Sequence, residues 1–437
     1  MFYLRNTLKK FGEIKVGIVG AGIMGKSLLN QLVQLENFKP SVMASRRIES
    51  VLKAFSTTNV KKEEIVITDS LEEAIEAQKK GLYVATTNTS IPASITDCVV
   101  DCTGDTEEGT KISLCAIKNK VNIVTLNVEM DATVGSIIKK LADEAGIIYT
   151  GTAGDEPGSI MELFEFSETL GFEVLVLGKG KNNDLNVYAT PDELEEQAKS
   201  KGLNKRMLTS FVDGTNTMIE LNAVCNATGF LPDVRGCHCI NSTPKDLAKN
   251  IRIKEEGGIF NSYKTVDFVR GIAPGVFAIV KAKSDVITSE MEFLKMGDGP
   301  NFAIYRPYHL TSIETPNSII RAVCLKDTSV VAIDKPVAET VAIAKRDLKK
   351  GEKLDGIGGY TIYGALESHK VQQQENLLPI GLVTGDVFVK RDIRKGEALK
   401  YSDVTLDENS EIVKLRREQD EIFNWLKNKN SIELWIL

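Results

Sequence analysis

The sequence lacks the features that mark several classes of protein. No run approaches 18 apolar residues, so no membrane-spanning helix is predicted. No block of five or more lysines and arginines occurs, and 60 acidic residues outnumber 54 basic ones, which argues against a nucleic-acid-binding surface. The first ten residues lack the apolar core of a signal peptide, so we do not expect export.

Cysteine and histidine are also scarce. The seven cysteines are scattered, so we expect reduced thiols in a cytoplasmic protein rather than a disulfide framework. The spacing in Cys237-His238-Cys239 does not fit a zinc half-site, and His309 and His369 have no visible partners. The remaining composition, 42% hydrophobic and 26% charged, is typical of a globular chain of two or three domains.

Strands alternate with helices in the first third of the chain. A short β-branched run, Lys15 to Gly20, is followed by a helical pattern and then by a second strand at Ser41 to Ala44. Further strands are predicted at Cys98–Cys102, Asn122–Leu126 and Ile147–Tyr149. This alternation predicts an α/β fold, a doubly wound (Rossmann) parallel sheet over residues 1–150.

The later part of the chain has a different texture. Residues 151–330 combine helical segments with strands, which predicts an α+β domain for substrate binding or oligomerisation. The segment KRDLKKGEKL, which begins at Lys345, returns as KRDIRKGEAL at Lys390, and this repeat predicts a small β module over 331–408 with pseudo-symmetric turns. Residues 409–437 are expected to form an amphipathic helix and a tail.

The first strand ends in a G-x-G-x-x-G motif that opens a helix, which is the context of a dinucleotide-binding loop. Glycines let backbone N–H groups approach a pyrophosphate at the helix N-terminus. The alternative is a glycine-rich turn that binds nothing. The predicted cofactor contacts in this loop are Gly20, Gly22, Ile23, Met24 and Gly25.

The end of the second strand indicates which dinucleotide binds. An NAD site usually has a carboxylate there for the ribose hydroxyls, whereas this chain has Ser45, Arg46 and Arg47. Two guanidinium groups suit a 2′-phosphate, so we predict NADP(H), with Thr103 and Gly104 in the same site. The alternative is a solvated arginine pair that caps the next helix.

Two adjacent carboxylates, Asp155 and Glu156, lie in a glycine-rich loop between a strand and a helix. Loops at this position usually contact substrate, and carboxylates are ligands for Mg²⁺ or Mn²⁺. The sequence therefore predicts a divalent cation site at Asp155 and Glu156, with simple helix capping as an equally weighted alternative.

A second set of polar residues favours an anionic small-molecule substrate. The segment Gly178 to Asn183 is read as a turn whose Lys179 and Lys181 act in catalysis and whose Asn182 and Asn183 bind substrate. Glu220 lies among apolar residues of a helix, where a carboxylate is costly unless paired, so it joins Glu156 among the predicted catalytic residues. Asp213 is placed in the substrate site. The alternatives are a solvated turn and a surface position for Glu220.

Together these segments resemble the homoserine dehydrogenase-like reductases with a C-terminal SAF-type β-clip module. Within that group the chain is most similar to the deoxyxylulose 5-phosphate reductoisomerase-like enzymes. The similar segments are Gly20 to Gly25, Asn127 to Glu129, Gly154 to Ser159, Gly178 to Asn183, Phe211 to Gly214 and the paired KRD repeats. True homoserine dehydrogenases have an acid and a lysine where this chain has Met218 and Asn222, so homoserine oxidation is not expected.

The resemblance implies NADPH-dependent, metal-assisted conversion of 1-deoxy-D-xylulose 5-phosphate to 2-C-methyl-D-erythritol 4-phosphate. We also expect an anionic small-molecule substrate and a homo-oligomer, either a dimer or a tetramer. The alternatives are an NADP-dependent dehydrogenase of a small sugar acid, polyol or homoserine-like substrate, and a dinucleotide-binding regulatory protein. The lysines and Asp155-Glu156 favour an enzyme, because a sensor needs only the nucleotide site.

Overall fold

The computed structural model describes residues 3–433, with side chains up to residue 423. The chain forms two compact units. The first unit contains the residues up to 155, residues 310–335 and the residues from 409 onward. The second unit contains residues 156–309 and 336–408.

The strands are β1 Ile14–Val19, β2 Phe38–Ala44, β3 Ile65–Ile67, β4 Tyr83–Thr86, β5 Cys98–Asp101, β6 Asn122–Thr125, β7 Tyr149–Gly151, β8 Glu173–Lys181, β9 Leu231–Pro232, β10 Ile240–Asn241, β11 Thr265–Arg270, β12 Val276–Lys281, β13 Asn301–Arg306, β14 Ala338–Ala344, β15 Ile362–Ser368, β16 Phe388–Val389 and β17 Val404–Thr405. The helices are α1 Tyr3–Phe11, α2 Ile23–Gln34, α3 Ile48–Phe55, α4 Leu71–Lys79, α5 Pro92–Ile95, α6 Thr106–Asn119, α7 Val128–Ala145, α8 Glu156–Thr169, α9 Glu195–Lys201, α10 Lys205–Val212, α11 Thr215–Thr228, α12 Leu247–Asn250, α13 Asp285–Phe293, α14 Thr315–Ile320, α15 His369–Glu375 and α16 Glu411–Glu433.

The first unit is built on a seven-stranded sheet in the order β3-β4-β2-β1-β5-β6-β7. Its neighbouring strands are all parallel. The central strand is buried on both faces, which explains why Ile14 to Val19 reads as a continuous apolar run rather than an alternating one. The predicted doubly wound α/β fold is confirmed.

The second unit contains a mixed sheet in the order β10-β11-β8-β12-β13, with β9 paired to β11. Strands β8 and β11 are parallel, whereas β12 runs antiparallel to β8 and to β13. Helices α8 and α11 cover one face, where Leu221 and Val224 pack with Phe268 and Leu177. The opposite face packs against Leu247 and Phe260.

The repeated KRD segments are related by local pseudo-twofold pairing. Leu348 and Ile393 exchange backbone hydrogen bonds, at 2.9 and 3.0 Å. Asp347 accepts from the backbone N–H of Lys395, and Asp392 accepts in the same way from Lys350. The turns of the two copies therefore cap each other, and the predicted pseudo-symmetry is present in the structure.

The division into two units differs from the predicted domain bounds at 150 and 330, whereas the predicted bound at 408 coincides with a change of unit. Residues 310–335 belong to the first unit because Ile319 and Val323 lie in the core of its parallel sheet. The backbone of Val330 also accepts a 2.8 Å hydrogen bond from Gly151 at the end of β7. The predicted β module shares its core with α11, since Val341 and Leu366 pack in the same cluster as Leu221.

All seven cysteines are free thiols, as predicted. Among residues 3–433, no helix is both long enough and apolar enough to cross a membrane.

Candidate active site and dinucleotide site

The glycine motif of the first unit forms a tight turn between β1 and α2. Gly20 has φ +105°, a conformation that favours glycine, and a Cβ there would lie 2.6 Å from the carbonyl oxygen of Cys102. A Cβ on Gly25 would collide with the Gly20 carbonyl oxygen, whereas Gly22 has open space around it. Ile23 and Met24 are exposed in the first turn of α2. The loop therefore offers an accessible helix N-terminus to an anion.

The predicted 2′-phosphate residues follow β2. Arg46 and Arg47 are exposed, and the side chain of Arg46 is 84% exposed with only a long 3.8 Å ion pair to Asp105. The Ser45 backbone N–H donates to the Thr86 carbonyl, which fixes the start of this loop. Both guanidinium groups are thus available for a ligand at the edge of the sheet.

Replacing both Arg46 and Arg47 by alanine tests the NADP prediction. We expect NADPH to bind roughly 100-fold more weakly, since two charge-assisted contacts to the 2′-phosphate are lost, and NADH binding to change little. Fluorescence titration of the bound dinucleotides measures both effects. Exposed Arg5 and Lys9 on α1 provide a matched double variant. An equal loss of affinity for NADH and NADPH would contradict the prediction.

The carboxyl end of β5 carries the other predicted cofactor residues. Asp101 is fully buried and accepts hydrogen bonds from the backbone N–H and hydroxyl of Thr103, at 2.9 and 2.7 Å, and from Asn127. Burial raises the pKa of Asp101 to about 6. Gly104 has φ +63° and open space around it. These bonds hold the Thr103–Gly104 loop at the edge of the sheet where Rossmann folds bind dinucleotides.

The second unit contains a buried cluster of charged side chains. The ammonium of Lys179, on β8, lies 2.6 Å from a carboxylate oxygen of Glu156 and also contacts the carboxylate of Glu220. Asn216, one turn before Glu220 on α11, donates a 2.6 Å hydrogen bond to Glu220. Burial and the neighbouring Glu156 raise the pKa of Glu220, and the two carboxylates raise the pKa of Lys179 against the opposing effect of burial. Glu220 is therefore buried and paired, not at the surface position that the sequence left as an alternative.

Lys181 lies two residues further along the same strand, but its surroundings differ. Its ammonium donates to the Phe211 carbonyl oxygen at 2.5 Å, and no carboxylate pairs with it within the described residues. Burial, followed by the positive charge of Lys179, lowers its pKa to about 8. Lys181 is therefore the cation of this strand that can give up or share its proton near neutral pH.

Strand β8 continues to Lys181, so the prediction of a turn from Gly178 onward is wrong. A Cβ on Gly178 would lie 2.5 Å from the Phe277 ring, and one on Gly180 would meet the backbone of Ala273. The glycines permit close packing inside a sheet rather than a reversal of the chain. The turn begins only at Asn182, which is exposed, and Asn183, which is half-buried.

Asp213, predicted to bind substrate, is fully buried. Its carboxylate lies 2.7 Å from the ammonium of Lys345 and accepts a 2.9 Å hydrogen bond from the Thr215 N–H at the start of α11. Lys345 also donates to the carbonyl oxygens of Ala189 and Gly359. Both side chains are engaged within the protein, so the structure does not present Asp213 to a ligand.

The predicted metal residues lie where α8 begins. Glu156 is its first residue and Asp155 directly precedes it. The Nε2 atom of His309 lies 3.3 Å from Glu156, and possible ligand atoms of Asp155, Glu156 and His309 all lie within 4.8 Å of one another. The Nδ1 atom of His309 is buried without a hydrogen-bond partner among the described residues. Two carboxylates and an imidazole form a donor set that fits a divalent ion.

Sequence reasoning missed His309, Asn216 and Arg270 as residues of this region. His309 is distant in the chain from Glu156, and a single sequence carries no signal for such a pair. Asn216 was recoverable, because a residue four positions before Glu220 shares its helix face. In the Cys237–Cys239 segment the backbone N–H groups of His238 and Cys239 donate to Asp267, and the His238 ring contacts Asp233 at 2.7 Å.

Residues 154–315 match a family model described as the catalytic domain of oxidoreductase DRL. This segment includes Glu156, Lys179, Lys181, Glu220 and His309. The match spans less than half of the chain, and at the level of this catalytic domain it identifies an oxidoreductase. No curated protein matches the chain.

Several solved structures are distantly similar. The 1-deoxy-D-xylulose 5-phosphate reductoisomerase from Zymomonas mobilis in complex with NADPH is 17% identical, covering 48% of this chain and 57% of that one, with a TM-score of 0.34. A DOX-P reductoisomerase crystallised with fosmidomycin and magnesium is 17% identical, covering 48% of this chain and 57% of that one, with a TM-score of 0.35. A probable dehydrogenase from Thermotoga maritima is 11% identical, covering 73% of this chain and 91% of that one, with a TM-score of 0.42. The chain thus spans 57% of the length of these reductoisomerases, and such low scores do not define a reaction.

Proposed function

We propose that the chain is an NADPH-dependent reductoisomerase that converts 1-deoxy-D-xylulose 5-phosphate to 2-C-methyl-D-erythritol 4-phosphate. The observation that carries the proposal is the buried Glu156–Lys179–Glu220 cluster inside the segment that matches an oxidoreductase catalytic domain. Buried charges are costly, and their concentration in one place is typical of a catalytic site.

The dinucleotide site of the first unit supports NADP(H) as the cofactor. The Gly20–Gly25 turn suits the pyrophosphate, and exposed Arg46 and Arg47 suit the 2′-phosphate. When bound, NADPH supplies the hydride that reduces the rearranged aldehyde. The Thr103–Gly104 loop, held by Asp101, borders the same edge of the sheet.

Asp155, Glu156 and His309 would hold a divalent ion. The imidazole favours Mn²⁺ over Mg²⁺, because Mg²⁺ sites consist mainly of oxygen ligands. A bound ion would polarise the ketone and hydroxyl oxygens of the substrate. Glu220 does not belong to this group of neighbouring ligand atoms, and Lys179 and Asn216 engage its carboxylate.

The remaining roles fall to side chains of the second unit. Lys181, with its pKa lowered to about 8, donates a hydrogen bond to the carbonyl oxygen on which negative charge develops. Lys179 neutralises and orients Glu156 and Glu220. The raised pKa of Glu220 suits it to hold a proton of the substrate hydroxyl during carbon–carbon bond cleavage.

A simple NADP-dependent dehydrogenase of a sugar acid or polyol is the second candidate. One observation favours it: Lys179 already neutralises Glu156, which weakens the attraction of that carboxylate for a metal. Lys181 alone would then act as the acid or base for a hydroxyl group, without rearrangement of the carbon skeleton.

NADPH oxidation by the purified chain with 1-deoxy-D-xylulose 5-phosphate, with and without Mn²⁺, tests the proposal. We expect turnover that requires the metal, is lost on chelation and returns when Mn²⁺ is restored. Homoserine with NADP⁺ serves as the parallel substrate and is expected to give none. Absence of turnover with intact NADPH binding would reject the reductoisomerase, and a screen of sugar acids would then separate a dehydrogenase from a regulatory protein.

A further inference from the structure

The lysines of β8 cannot share the task of binding an anionic substrate group. Lys179 contacts two carboxylates, Glu156 and Glu220, so its positive charge is already compensated. A phosphate placed beside it would face those carboxylates at close range and be repelled. The anion-binding role therefore falls on the end of the strand, beyond Lys179, where Lys181 lies beside the neighbouring strand.

Arg270 is the neighbour of Lys181 in the sheet. The two residues are register partners at the ends of the parallel strands β11 and β8. One row earlier, Phe268 pairs with Lys179, and the Phe268 ring packs in the cluster that contains Met218 and Leu221 of α11. Because side chains two residues apart lie on the same face of a strand, Arg270 and Lys181 extend this face to the edge of the sheet.

The guanidinium of Arg270 is only partly engaged. Its Nη1 atom lies 3.5 Å from Asp184, whose side chain is 96% exposed, so this pair contributes little. The Nε atom of Arg270 is buried, within a side chain that is 39% exposed, and has no hydrogen-bond partner among the described residues. This donor is therefore available to an acceptor that enters from solvent.

The charges of Arg270 and Lys181 both act on the Cys239 thiol. Burial raises the pKa of this thiol, and the two positive charges oppose that shift. Two cations at the carboxyl ends of neighbouring parallel strands, one of them with an unused buried donor, favour an anion at this end of the sheet.

We propose that Arg270 binds the phosphate group of the substrate, while Lys181, whose ammonium is assigned to the substrate carbonyl, contributes only its positive charge. This inference rests on the proposed function and deepens it, since it identifies Arg270 as the residue that selects a phosphate monoester. The planar guanidinium offers two parallel donors to the phosphate oxygens, and the neighbouring charge of Lys181 favours an anion there.

The binding test uses inorganic phosphate as the probe, without dinucleotide and at constant ionic strength. The Arg46→Ala, Arg47→Ala background removes the two arginines of the predicted 2′-phosphate site. We expect phosphate to raise the Tm of this protein, Arg270→Gln to abolish most of that shift, and Arg270→Lys to retain part of it. Exposed Arg394, changed to glutamine, is the matched control and is expected to leave the shift unchanged.

Steady-state kinetics adds a second measurement. Arg270→Gln is expected to raise KM for 1-deoxy-D-xylulose 5-phosphate roughly 10- to 100-fold, the value of a lost charged hydrogen bond, with a much smaller change in kcat. The inference is overturned if phosphate does not raise the Tm of the parent protein, or raises the Tm of Arg270→Gln equally. If the Tm shift is lost in Arg270→Gln but the protein does not turn over the sugar phosphate, the phosphate subsite is supported and the proposed reaction is rejected. If Arg270→Gln does not fold, as judged by circular dichroism, Arg270→Lys decides: a Tm shift with phosphate smaller than that of the parent protein supports the inference, and an unchanged shift overturns it.

Discussion

Replacing Lys179 by methionine is expected to lower the free energy of unfolding by about 3–5 kcal/mol at neutral pH, the typical cost of removing one partner of a buried ion pair. The side chain of Lys179 is 6% exposed and compensates both Glu156 and Glu220, so its loss leaves the buried Glu220 and the partly buried Glu156 without this counter-charge. Methionine fills a similar volume, so the loss reflects charge rather than a cavity. Chemical denaturation at several pH values measures the effect.

The pH dependence gives this prediction a definite sign. In the Lys179→Met variant the folded-state pKa of Glu220 lies above its unfolded value, because burial and the neighbouring Glu156 favour the protonated form. The unfavourable contribution of Glu220 therefore grows as pH rises through its folded-state pKa and disappears in acid. The difference in the free energy of unfolding between the variant and the parent protein should decrease as pH falls. Adding Glu220→Gln to the variant should recover part of the lost stability. A variant as stable as the parent at neutral pH would contradict the buried cluster.

Replacing Lys181 by glutamine is expected to lower kcat roughly 100- to 1,000-fold, the usual effect of removing a donor that stabilises developing negative charge. Folding should be little affected, because the observed partner of the ammonium is one backbone carbonyl, that of Phe211. Single-turnover kinetics with saturating NADPH measures the loss. Unchanged turnover in Lys181→Gln would remove this residue from the site.

The pH profile separates a catalytic ammonium from a structural one. Lys181 is cationic below its pKa of about 8. Burial and the charge of Lys179 lower this pKa, and the smaller effects of Cys239, Glu220 and Asp213 raise it. Activity that needs the cation is therefore present below about pH 8 and falls above it. Lys181→Arg stays cationic at all accessible pH values, so it should keep part of the activity and lose this fall. A parent profile that is flat through pH 8 would contradict the assignment.

Much of the first unit could be predicted because its signals are local. The apolar run Lys15 to Gly20, the glycine turn and the helix after it are consecutive in the chain, and each element has its own pattern. The short strands β3 and β4 were not predicted, since Ile65–Ile67 and Tyr83–Thr86 are too brief to show a period.

The glycines of β8 show why local patterns also mislead. Gly178 to Lys181 has the composition of a turn, but its conformation depends on Phe277 and Ala273, which approach from another strand and loop. Only the folded structure places these groups there. The same applies to residues 310–335, whose return to the first unit depends on non-local hydrogen bonds such as Gly151 to Val330.

The candidate site was partly predictable for the same reason. Glu156, Lys179 and Glu220 were identified one by one from local chemistry, and the structure brings them together. What could not be foreseen was the assignment of partners: Lys179 is committed to two carboxylates, Asp213 to Lys345, and Arg270 is left beside Lys181. These pairings determine which groups remain available to a ligand.

The most direct test of the proposed reaction is the carbon skeleton of its product. Nuclear magnetic resonance of the material formed from 1-deoxy-D-xylulose 5-phosphate and NADPH, with Mn²⁺ present, distinguishes the two enzyme candidates. The reductoisomerase predicts a branched product, 2-C-methyl-D-erythritol 4-phosphate, formed with one equivalent of NADP⁺. An unbranched polyol phosphate, or NADPH binding without any product, would contradict it.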